Sequence, residues 1–583
     1  SVLLIEDPDQ SSYTTVPLRC TSLLLPLLFG LFATPACGLA IPPPPAATTM
    51  PGGARTLYWF RKAIRLHDNP SLAKAVQGAS HLHPVFCLDH SSMTGGATEG
   101  CKPSGNRMRF LLESLSDLDE SLRALGSGLQ VVTGEPEGEL KRLCEELKVE
   151  RIAWERETEP TGLARDSRVE AMARAAGIEV VTEVGHTLVD TRLLLAEAAG
   201  KPSITYSTFQ QHFSHVVHRN PISITPTPTS LPPTIASISA GVPTMSDVGY
   251  QDADATTPLR GGEKLALERM NRYLARQEWI CKFEKPSTSP CETDMNERST
   301  TVLSPYLAVG SLSCRVFYEG LKKVYKAGGT HSQPPVSLEG QMLWREFYYV
   351  CSAYTPNYDK MQGNPICRQI PWGETSHHDN MLEAWQEART GYPWIDACMT
   401  QLKQEGHIHH LARHAVACFL TRGDLWVSWE KGALWFESQL LDADWALNSG
   451  NWMWLSCSCF FYQYFRCYSP VAFAKKWDPE GNYIRKYVPA LRNLPAKYIY
   501  EPWKAPIATQ RQAGVELGKT YPKRIVVHET ISKENMGKMN DAYSAHKRKQ
   551  EEAASDAKGK KEGPVKKAAR TSKAKASVTE ESN

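Results

Sequence analysis

Along the first third of the chain, short apolar runs alternate with amphipathic stretches. The stretch 106–125 repeats apolar residues every three or four positions, which predicts a helix with one buried face. The short runs between such stretches have the length and the apolar composition of buried strands. Strands that alternate with helices at this spacing predict a doubly wound α/β domain with a parallel sheet over 55–200. The predicted strands are 55–60, 81–87, 129–133, 151–154 and 178–181.

The pattern changes after residue 200. Prolines among serines and threonines make 201–260 a predicted connector between domains. From 261 to 544 the apolar residues recur with helical spacing and strand patterns are scarce, so we predict an all-α second domain. Its predicted helices include 263–279, 336–352, 381–388, 394–405, 409–420, 428–440 and 508–517.

The two ends of the chain lie outside both predicted domains. Residues 1–54 contain an apolar run at 23–33, and we interpret this segment as presequence-like or disordered. Residues 545–583 carry 11 Lys and Arg against 6 Asp and Glu, a net charge of +5 in a chain of net charge +3. This composition predicts a basic disordered tail, which either serves nuclear localisation and non-specific nucleic-acid binding or has no partner. We therefore expect a nuclear protein, with a plastid or a mitochondrion as the alternative if 1–54 is a true presequence.

Composition limits the class of protein. With 42% hydrophobic residues in 583, the chain can bury a large core, which excludes a disordered chain, a collagen and a membrane bundle. The apolar run at 23–33 is too short to span a bilayer, so we expect no membrane partner. The 15 cysteines are scattered without a CxxC pair, which indicates a reduced, intracellular protein and no metal site.

The segment 442–454 combines acids, amides and tryptophans. Asp442, Asp444 and Asn448 stand among apolar residues, where an unpaired carboxylate is costly. Arg345 and Arg413 are the candidate partners of these acids. The cluster is either a structural ion-pair network or part of a ligand site, and the residues alone leave both interpretations open.

Histidines and tryptophans near this segment have helical spacing. His407, His410 and His414 are three and four residues apart, which predicts one shared helix face. Imidazole titrates near neutrality and suits general-acid chemistry, while a zinc site or ordinary core histidines are the alternatives. Trp426 and Trp429 are three residues apart, and such a pair either belongs to a core or relays electrons.

A group of hydroxyls precedes a helical pattern near residue 304. Thr300, Thr301 and Ser304 could hold a phosphate together with the first backbone amides of that helix. Serine and threonine are also ordinary helix caps, so the group alone is weak evidence for a phosphate site.

Several long motifs, taken in order, resemble the cryptochrome/photolyase family, and within it the branch of (6-4) photolyases and animal-type cryptochromes. The resemblance extends from about residue 55 to residue 542. It implies an N-terminal α/β antenna domain and a C-terminal helical domain that holds FAD, with a folate or a deazaflavin as a possible second chromophore. The segments that carry it are 59–62, 65–70, 303–307, 344–348, 389–393, 409–419, 421–426, 442–454, 464–470 and 483–489.

Carried over position by position, the resemblance implies a set of FAD-binding residues. Arg413 would pair with Asp442 beside the flavin ring, Asp444 would meet the ring edge, and Asn448 would face flavin N5. The full set is Thr300, Thr301, Leu303, Ser304, Gln341, Arg345, Arg413, Asp442, Asp444 and Asn448.

The resemblance also implies which residues carry the chemistry. His410 and His414 would face a DNA lesion, and one of them would donate a proton. A chain of indoles would carry electrons to the flavin. Trp426 would be a possible further member of this chain, at the surface of the protein. The implied relay, counted from the flavin outwards, is Trp452, Trp429, Trp372 and Trp426, and the implied substrate-binding residues are Trp344, Trp454 and Tyr468.

The implied function is blue-light-dependent repair of (6-4) photoproducts in UV-damaged DNA. Reduced FAD would supply the electron, and the histidine pair would assist proton transfer. The alternative is a signalling cryptochrome, a photoreceptor or transcriptional regulator that acts through protein partners without repair, and the two activities can coexist. The chain departs from the branch at one position near the implied cofactor cavity. His407 occupies that position, where the family has Trp.

Overall fold

The computed structural model describes residues 53–89, 102–238, 241–292, 294 and 298–562. Most of the presequence-like segment 1–54 and the last part of the basic tail lie outside these residues. Within the described ranges, no helix combines the length and the apolar composition that crossing a bilayer requires.

The N-terminal domain is a five-stranded parallel sheet with helices on both faces, which confirms the predicted doubly wound class. The strand order is β3-β2-β1-β4-β5, so the chain reverses direction across the sheet after β3. The elements are β1 (Ala54–Phe60), α1 (Pro70–Val76), β2 (Ala79–Leu88), α2 (Gly105–Ala124), β3 (Gln130–Thr133), α3 (Pro136–Leu147), β4 (Arg151–Glu155), α4 (Pro160–Ala175), β5 (Glu179–Glu183) and α5 (Thr191–Glu197).

The central strand β1 is buried on both faces, as its nearly continuous apolar sequence predicts. Tyr58 and Phe60 pack into a core with the apolar face of α2. Leu57 and Trp59 point to the opposite face and pack against α3 and α4. This alternation along one strand explains why helices cover both sides of the sheet.

The second domain is helical, and its core is one large cluster of apolar and aromatic side chains. In the described part of 261–562 no β-strand is found, in agreement with the predicted all-α class. Its helices, together with α6 from the connector, are α6 (Tyr206–Arg219), α7 (Glu263–Leu274), α8 (Gln277–Lys282), α9 (Ser304–Val309), α10 (Cys314–Gly328), α11 (Leu338–Tyr354), α12 (Ser376–Gln386), α13 (Pro393–Glu405), α14 (His410–Cys418), α15 (Trp429–Gln439), α16 (Trp445–Leu455), α17 (Ala472–Trp477), α18 (Asn482–Tyr487), α19 (Ala496–Ile499), α20 (Ile507–Gln512) and α21 (His528–Glu562).

Several elements differ from the sequence prediction. The predicted connector 201–260 contains α6, whose Phe209, Phe213 and Val216 join the core of the helical domain. The predicted helix 263–279 is broken into α7 and α8. The predicted tail begins inside α21, which runs on to Glu562, so 545–562 is helical and only 563–583 lies outside the described residues.

The predicted shared face of three histidines is wrong for one of them. Gly406 ends α13 in the left-handed conformation, with φ 63°. His409 then caps α14, because its Nδ1 accepts a hydrogen bond from the Leu411 amide at 3.1 Å. His407 therefore lies in the link between the two helices, and only His410 and His414 share a helix face.

Candidate functional site

A deep cavity opens between α9, α11, α14, α15 and α16 of the helical domain. Its empty volume is about 1350 Å³, counting the open mouth. His407, His409, His410, Trp452 and Lys285 contribute to its wall. The cavity brings together the whole predicted cofactor set, which is Thr300, Thr301, Leu303, Ser304, Gln341, Arg345, Arg413, Asp442, Asp444 and Asn448.

Asp442 forms a buried ion pair at the cavity wall. Arg413 Nη2 donates to Asp442 Oδ2 at 2.8 Å, and the Ser304 hydroxyl donates to the same oxygen at 2.6 Å. Burial alone would raise the pKa of Asp442, but Arg413 and then His407 outweigh it and lower the pKa below its ordinary value. Asp442 is therefore ionised at neutral pH, with one oxygen fully occupied by protein donors.

Asp444 belongs to a second network that links the two domains. Its Oδ1 accepts a hydrogen bond from the Leu447 amide at 3.0 Å, which caps α16, and the Tyr349 hydroxyl donates to Oδ2. His186, from the loop after β5, lies 3.8 Å from Oδ2 and 3.1 Å from Arg345 Nη2. Burial and then Arg345 lower the pKa of His186 to about 3, so this ring is neutral.

Asn448 is oriented by its neighbours on α15. Its amide nitrogen donates to the Ala433 carbonyl at 2.9 Å and to Glu437 Oε2 at 3.1 Å. Burial raises the pKa of Glu437 to about 7, although Arg107 opposes the shift. Because both nitrogen contacts point into the protein, the amide orientation is fixed before any ligand binds.

The cavity presents polar atoms that no described protein group satisfies, as a site built for a polar ligand should. Among the described residues, Lys285 Nζ, Gln341 Oε1, Asp442 Oδ1 and His410 Nε2 are buried without a hydrogen-bond partner. Unpaired buried groups of this kind are costly, so a ligand that pairs with them binds strongly. Burial and then Arg413 lower the pKa of Lys285 well below its ordinary value, and an anionic ligand would reverse this shift. These residues fit a cofactor that carries phosphate groups as well as a polar ring.

Only one member of the histidine pair belongs to the lining of the cavity. His410 lines the cavity wall, and its ring centroid is 4.1 Å from that of His409. His414 lies one turn further along α14 and packs on Tyr468, with ring centroids 4.2 Å apart. Burial lowers the pKa of both His410 and His414 well below the ordinary value. Both rings are therefore neutral at pH 7 in this structure.

The predicted tryptophan chain begins at the cavity wall. Trp452 lines the cavity and packs against Gly432 of α15, where its ring leaves no room for a side chain. Trp429 lies one turn before Gly432 on the same face of α15. At the other end, Trp372 and Trp426 are in ring contact, with centroids 4.9 Å apart.

Trp426 was expected at the surface, and the structure corrects this. Its side chain is only 6% exposed, its Nε1 donates to the Pro371 carbonyl at 2.9 Å, and α21 covers it. The ammonium of Lys538 on α21 lies 4.9 Å from the centre of the Trp426 ring. The sequence could not indicate this, because the covering helix comes more than 100 residues later in the chain.

The three predicted substrate residues form two aromatic groups. Trp344 and Trp454 meet edge to face with centroids 5.3 Å apart, and Trp454 stacks on Phe461. Tyr468 contacts His414, as described above. Trp344, Trp454 and Tyr468 do not belong to the lining of the cavity.

Comparisons with known proteins agree with this geometry. Residues 56–232 match the model of DNA photolyase, and residues 337–541 match the model of the FAD binding domain of DNA photolyase. The "(6-4)DNA photolyase" of Arabidopsis thaliana is 47% identical over 511 residues, which cover 86% of this chain and 91% of that protein. The chain belongs to the photolyase/cryptochrome family. The match of the helical domain also confirms FAD as the cofactor.

Both branches of the photolyase/cryptochrome family are similar to this chain. "Cryptochrome-1" of Sylvia borin is 46% identical over 498 residues, which cover 84% of this chain and 78% of that protein. Among solved structures, a bacterial class III photolyase from Agrobacterium tumefaciens has a TM-score of 0.71 at 29% identity, covering 87% of this chain and 100% of that one. Sequence similarity therefore identifies the family but does not distinguish repair from signalling. Evidence for one or the other has to come from the residues of the site.

A second cavity lies between the two domains of this chain. It opens at the carboxyl ends of β1 and β4, the point at which the strand order reverses and where open α/β sheets bind ligands. Arg61, Lys62 and Arg165 line it together with Glu157 and Glu159, and its empty volume is about 1510 Å³. Arg165 pairs there with Glu157 at 2.6 Å.

Three residues of the site were not found by sequence reasoning. Lys285 begins a single turn of 3-10 helix, Lys285–Ser287, which is too short to give a periodic signal. His186 comes from the other domain, and Glu437 lies on an apolar helix where an acid gives no indication of its partner. Only the tertiary structure brings these side chains to the predicted residues.

Proposed function

We propose that this flavoprotein is a blue-light-dependent (6-4) DNA photolyase. The observation that carries the proposal is the pair of buried histidines one turn apart, of which His410 lines the FAD cavity and His414 packs on Tyr468. The identity of 47% to a protein named "(6-4)DNA photolyase" supports it. UV-damaged DNA is the proposed partner, and the lesion base would enter the cavity mouth from the duplex.

The cavity residues would hold FAD by charge and by fixed polar groups. Lys285 and the hydroxyls of Thr300 and Thr301 offer donors for phosphates, while Asp442 and Asn448 are held rigid by Arg413 and Glu437. Bound FAD would absorb blue light and supply an electron to the lesion. Fixed donors and acceptors need no reorganisation when charge moves, which favours such a transfer.

His410 and His414 would manage the proton. Burial keeps both rings neutral without DNA, so the proton has to be taken up as the lesion binds. Phosphates of the lesion bring negative charge to the cavity mouth, and nearby negative charge raises a histidine pKa. The pair therefore becomes a general acid only when substrate is bound, which protects the empty site from unproductive protonation.

Four indoles would recharge the cofactor from outside. Trp452 is at the cavity wall, Trp429 lies on the neighbouring helix, and Trp372 contacts Trp426. Indole is an easily oxidised side chain, and burial excludes the water that would quench a cationic ring. The second cavity, between the domains, is the proposed site of an antenna chromophore, a folate or a deazaflavin.

The proposal is tested by repair assays on one preparation each of wild type, His410→Asn and His414→Asn. An oligonucleotide with one (6-4) photoproduct is illuminated with blue light, and FAD occupancy and melting temperature are measured on the same samples. We expect both variants to keep FAD and stability while repair falls about 10²–10⁴-fold, the contribution of a general acid. Repair at the wild-type rate in both variants would show that the histidines are packing residues.

A signalling cryptochrome is the second candidate, and the 46% identity to "Cryptochrome-1" favours it. In that case the photoreduced protein would act through protein partners, and no lesion would be repaired. The basic residues of 545–583 would direct either protein to the nucleus, since a Lys-rich segment is a typical localisation signal. A fluorescent fusion with and without 563–583 tests the localisation.

A further inference from the structure

The loop 456–468 follows α16 and carries two of the aromatic contacts described above. Phe461 in this loop stacks on Trp454, with ring centroids 5.3 Å apart, and Tyr468 at its end packs on His414. The structure describes every residue of the loop, and none of them belongs to the lining of the FAD cavity. The loop therefore positions aromatic side chains of the proposed substrate site and takes no part in the cofactor wall.

Arg368 joins this loop to the C-terminal helix α21. The guanidinium carbon of Arg368 lies 4.0 Å from the centre of the Tyr462 ring in the loop and 4.0 Å from the centre of the Tyr543 ring on α21. The backbone amide of Arg368 also donates to the Ser458 carbonyl at 2.8 Å. A guanidinium is attracted to the face of each ring, so this arginine holds loop and helix together.

Direct contacts between the loop and α21 add to this connection. The Tyr543 hydroxyl donates to the Cys457 carbonyl at 2.7 Å, and the Tyr464 hydroxyl donates to Asn540 Oδ1 at 3.1 Å. The rings of Tyr464 and Tyr543 meet edge to face, with centroids 4.7 Å apart. Asn540 and Tyr543 are three residues apart, so one face of α21 makes these contacts.

The loop also presents aromatic side chains to solvent. Tyr462 and Phe465 are 44% and 57% exposed, which is unusual for side chains of this size. Exposed aromatic faces are suited to stack on unpaired bases, whatever their sequence. The loop 456–468 is thus held by α21 and has exposed rings that can contact nucleic acid.

We infer that α21 belongs to the substrate-binding unit and that its docking is coupled to the binding of damaged DNA by the loop 456–468. A loop that is ordered in advance loses less entropy when it binds, so the contacts of Tyr543 raise the affinity for DNA. The coupling is reciprocal, so bound DNA stabilises the docked helix. The inference rests on the (6-4) photoproduct as the substrate of the proposed function. Arg368 and Tyr543 are positioning residues, because they act through the loop.

The first test is DNA binding in darkness by the full-length protein with FAD bound. Fluorescence anisotropy measures the dissociation constant of a duplex with one (6-4) photoproduct for wild type, Tyr543→Leu and Tyr543→Phe. We expect Tyr543→Leu to bind about tenfold more weakly, the factor for one cation–π contact of intermediate burial. Tyr543→Phe keeps the ring at Arg368 and loses one hydrogen bond, so we expect it to bind about threefold more weakly.

Tyr498→Leu is the matched control. Tyr498 is also a half-buried tyrosine, and its ring lies 5.2 Å from the Lys497 ammonium of its own helix, α19. This variant should bind the duplex as wild type does. FAD occupancy and the repair rate at saturating DNA should be the same in all four proteins, because the loop does not line the cofactor cavity. A joint fall of FAD occupancy and DNA affinity in Tyr543→Leu would show a general structural role and overturn the inference.

Hydrogen exchange of wild type tests the reciprocal effect without a variant. The backbone amides of 532–543 should exchange about tenfold more slowly with the (6-4) duplex bound, and an undamaged duplex of the same sequence should not protect them. Wild type that does not prefer the (6-4) duplex to the undamaged one would overturn the proposed function and the inference with it. A preference in wild type with an unchanged constant in Tyr543→Leu would overturn the inference alone. If Tyr543→Leu does not fold, equal exchange of 532–543 with and without the lesion overturns it.

Discussion

The ion pair between Arg413 and Asp442 gives the sharpest stability prediction. The two side chains are 11% and 2% exposed, and Arg413→Met keeps most of the volume while it removes the charge. Asp442 would keep one donor, the Ser304 hydroxyl at 2.6 Å, and lose the guanidinium. Breaking a buried pair from one side costs about 3–5 kcal/mol. Because Ser304 remains, we expect the unfolding free energy to fall by about 3 kcal/mol at pH 7.

The pH dependence of this loss follows from the pKa of Asp442. In wild type the pKa is lowered, so the stabilisation is complete above the ordinary carboxyl pKa and is lost as the pH falls through the folded value. In Arg413→Met burial dominates and raises the pKa, so the carboxyl takes up a proton as the pH falls. The deficit of the variant should therefore be largest near pH 8 and shrink towards pH 5, by at most about 1.4 kcal/mol per pH unit.

Urea unfolding of the flavin-free protein at pH 5, 6, 7 and 8 measures the effect. Arg389→Met is the matched control, because its partner Glu383 lies 2.8 Å away and both side chains are more than half exposed. Such a surface pair contributes about 0–1 kcal/mol. Arg413→Met with Asp442→Asn should recover most of the loss, since no unpaired charge remains. A loss below 1 kcal/mol in Arg413→Met, or one that does not change with pH, would refute the reasoning.

Three further predictions concern the cofactor and DNA. Trp452→Phe should fold and bind FAD but lose light-driven flavin reduction, as followed by absorbance under blue light; undiminished reduction would exclude the indole chain. Lys285→Met should stabilise the flavin-free protein, because the ammonium is buried without a described partner. The same change should weaken FAD binding about tenfold or more, because that ammonium would pair with the ligand. Lower stability with unchanged FAD affinity would contradict this prediction. Deletion of 563–583, which removes 5 Lys and Arg against 2 Glu, should weaken binding to damaged and undamaged DNA by the same factor and flatten the salt dependence. A selective loss for damaged DNA in filter binding would contradict the last prediction.

Local patterns were sufficient for the fold class. The apolar run 55–60 predicted a strand of a parallel sheet, and the structure has it at the centre of that sheet. The prediction of 394–405 differs by one residue from α13 because Pro393 begins that helix and Gly406 ends it. Elements whose ends are marked by such residues are predictable from the sequence alone.

Long-range contacts explain what the sequence did not indicate. His407 appeared to share a helix face with His410, but the left-handed Gly406 and the cap at His409 place it in a link. Trp426 appeared to be a surface residue because α21, which covers it, is polar overall and distant in sequence. The predicted cofactor residues do line one cavity, yet the hydrogen bonds that orient them come from Glu437 and from a loop of the other domain.

Repair of a defined lesion under blue light tests the central claim most directly. Purified wild-type protein with reduced FAD is mixed with an oligonucleotide that contains one (6-4) photoproduct, and with a second that contains one cyclobutane dimer. Intact thymines are counted by chromatography after illumination and after the same time in darkness. We predict restored thymines from the (6-4) substrate in light, none in darkness and none from the dimer. No repair in light by protein that still photoreduces its flavin would contradict the account and leave the signalling cryptochrome as the function.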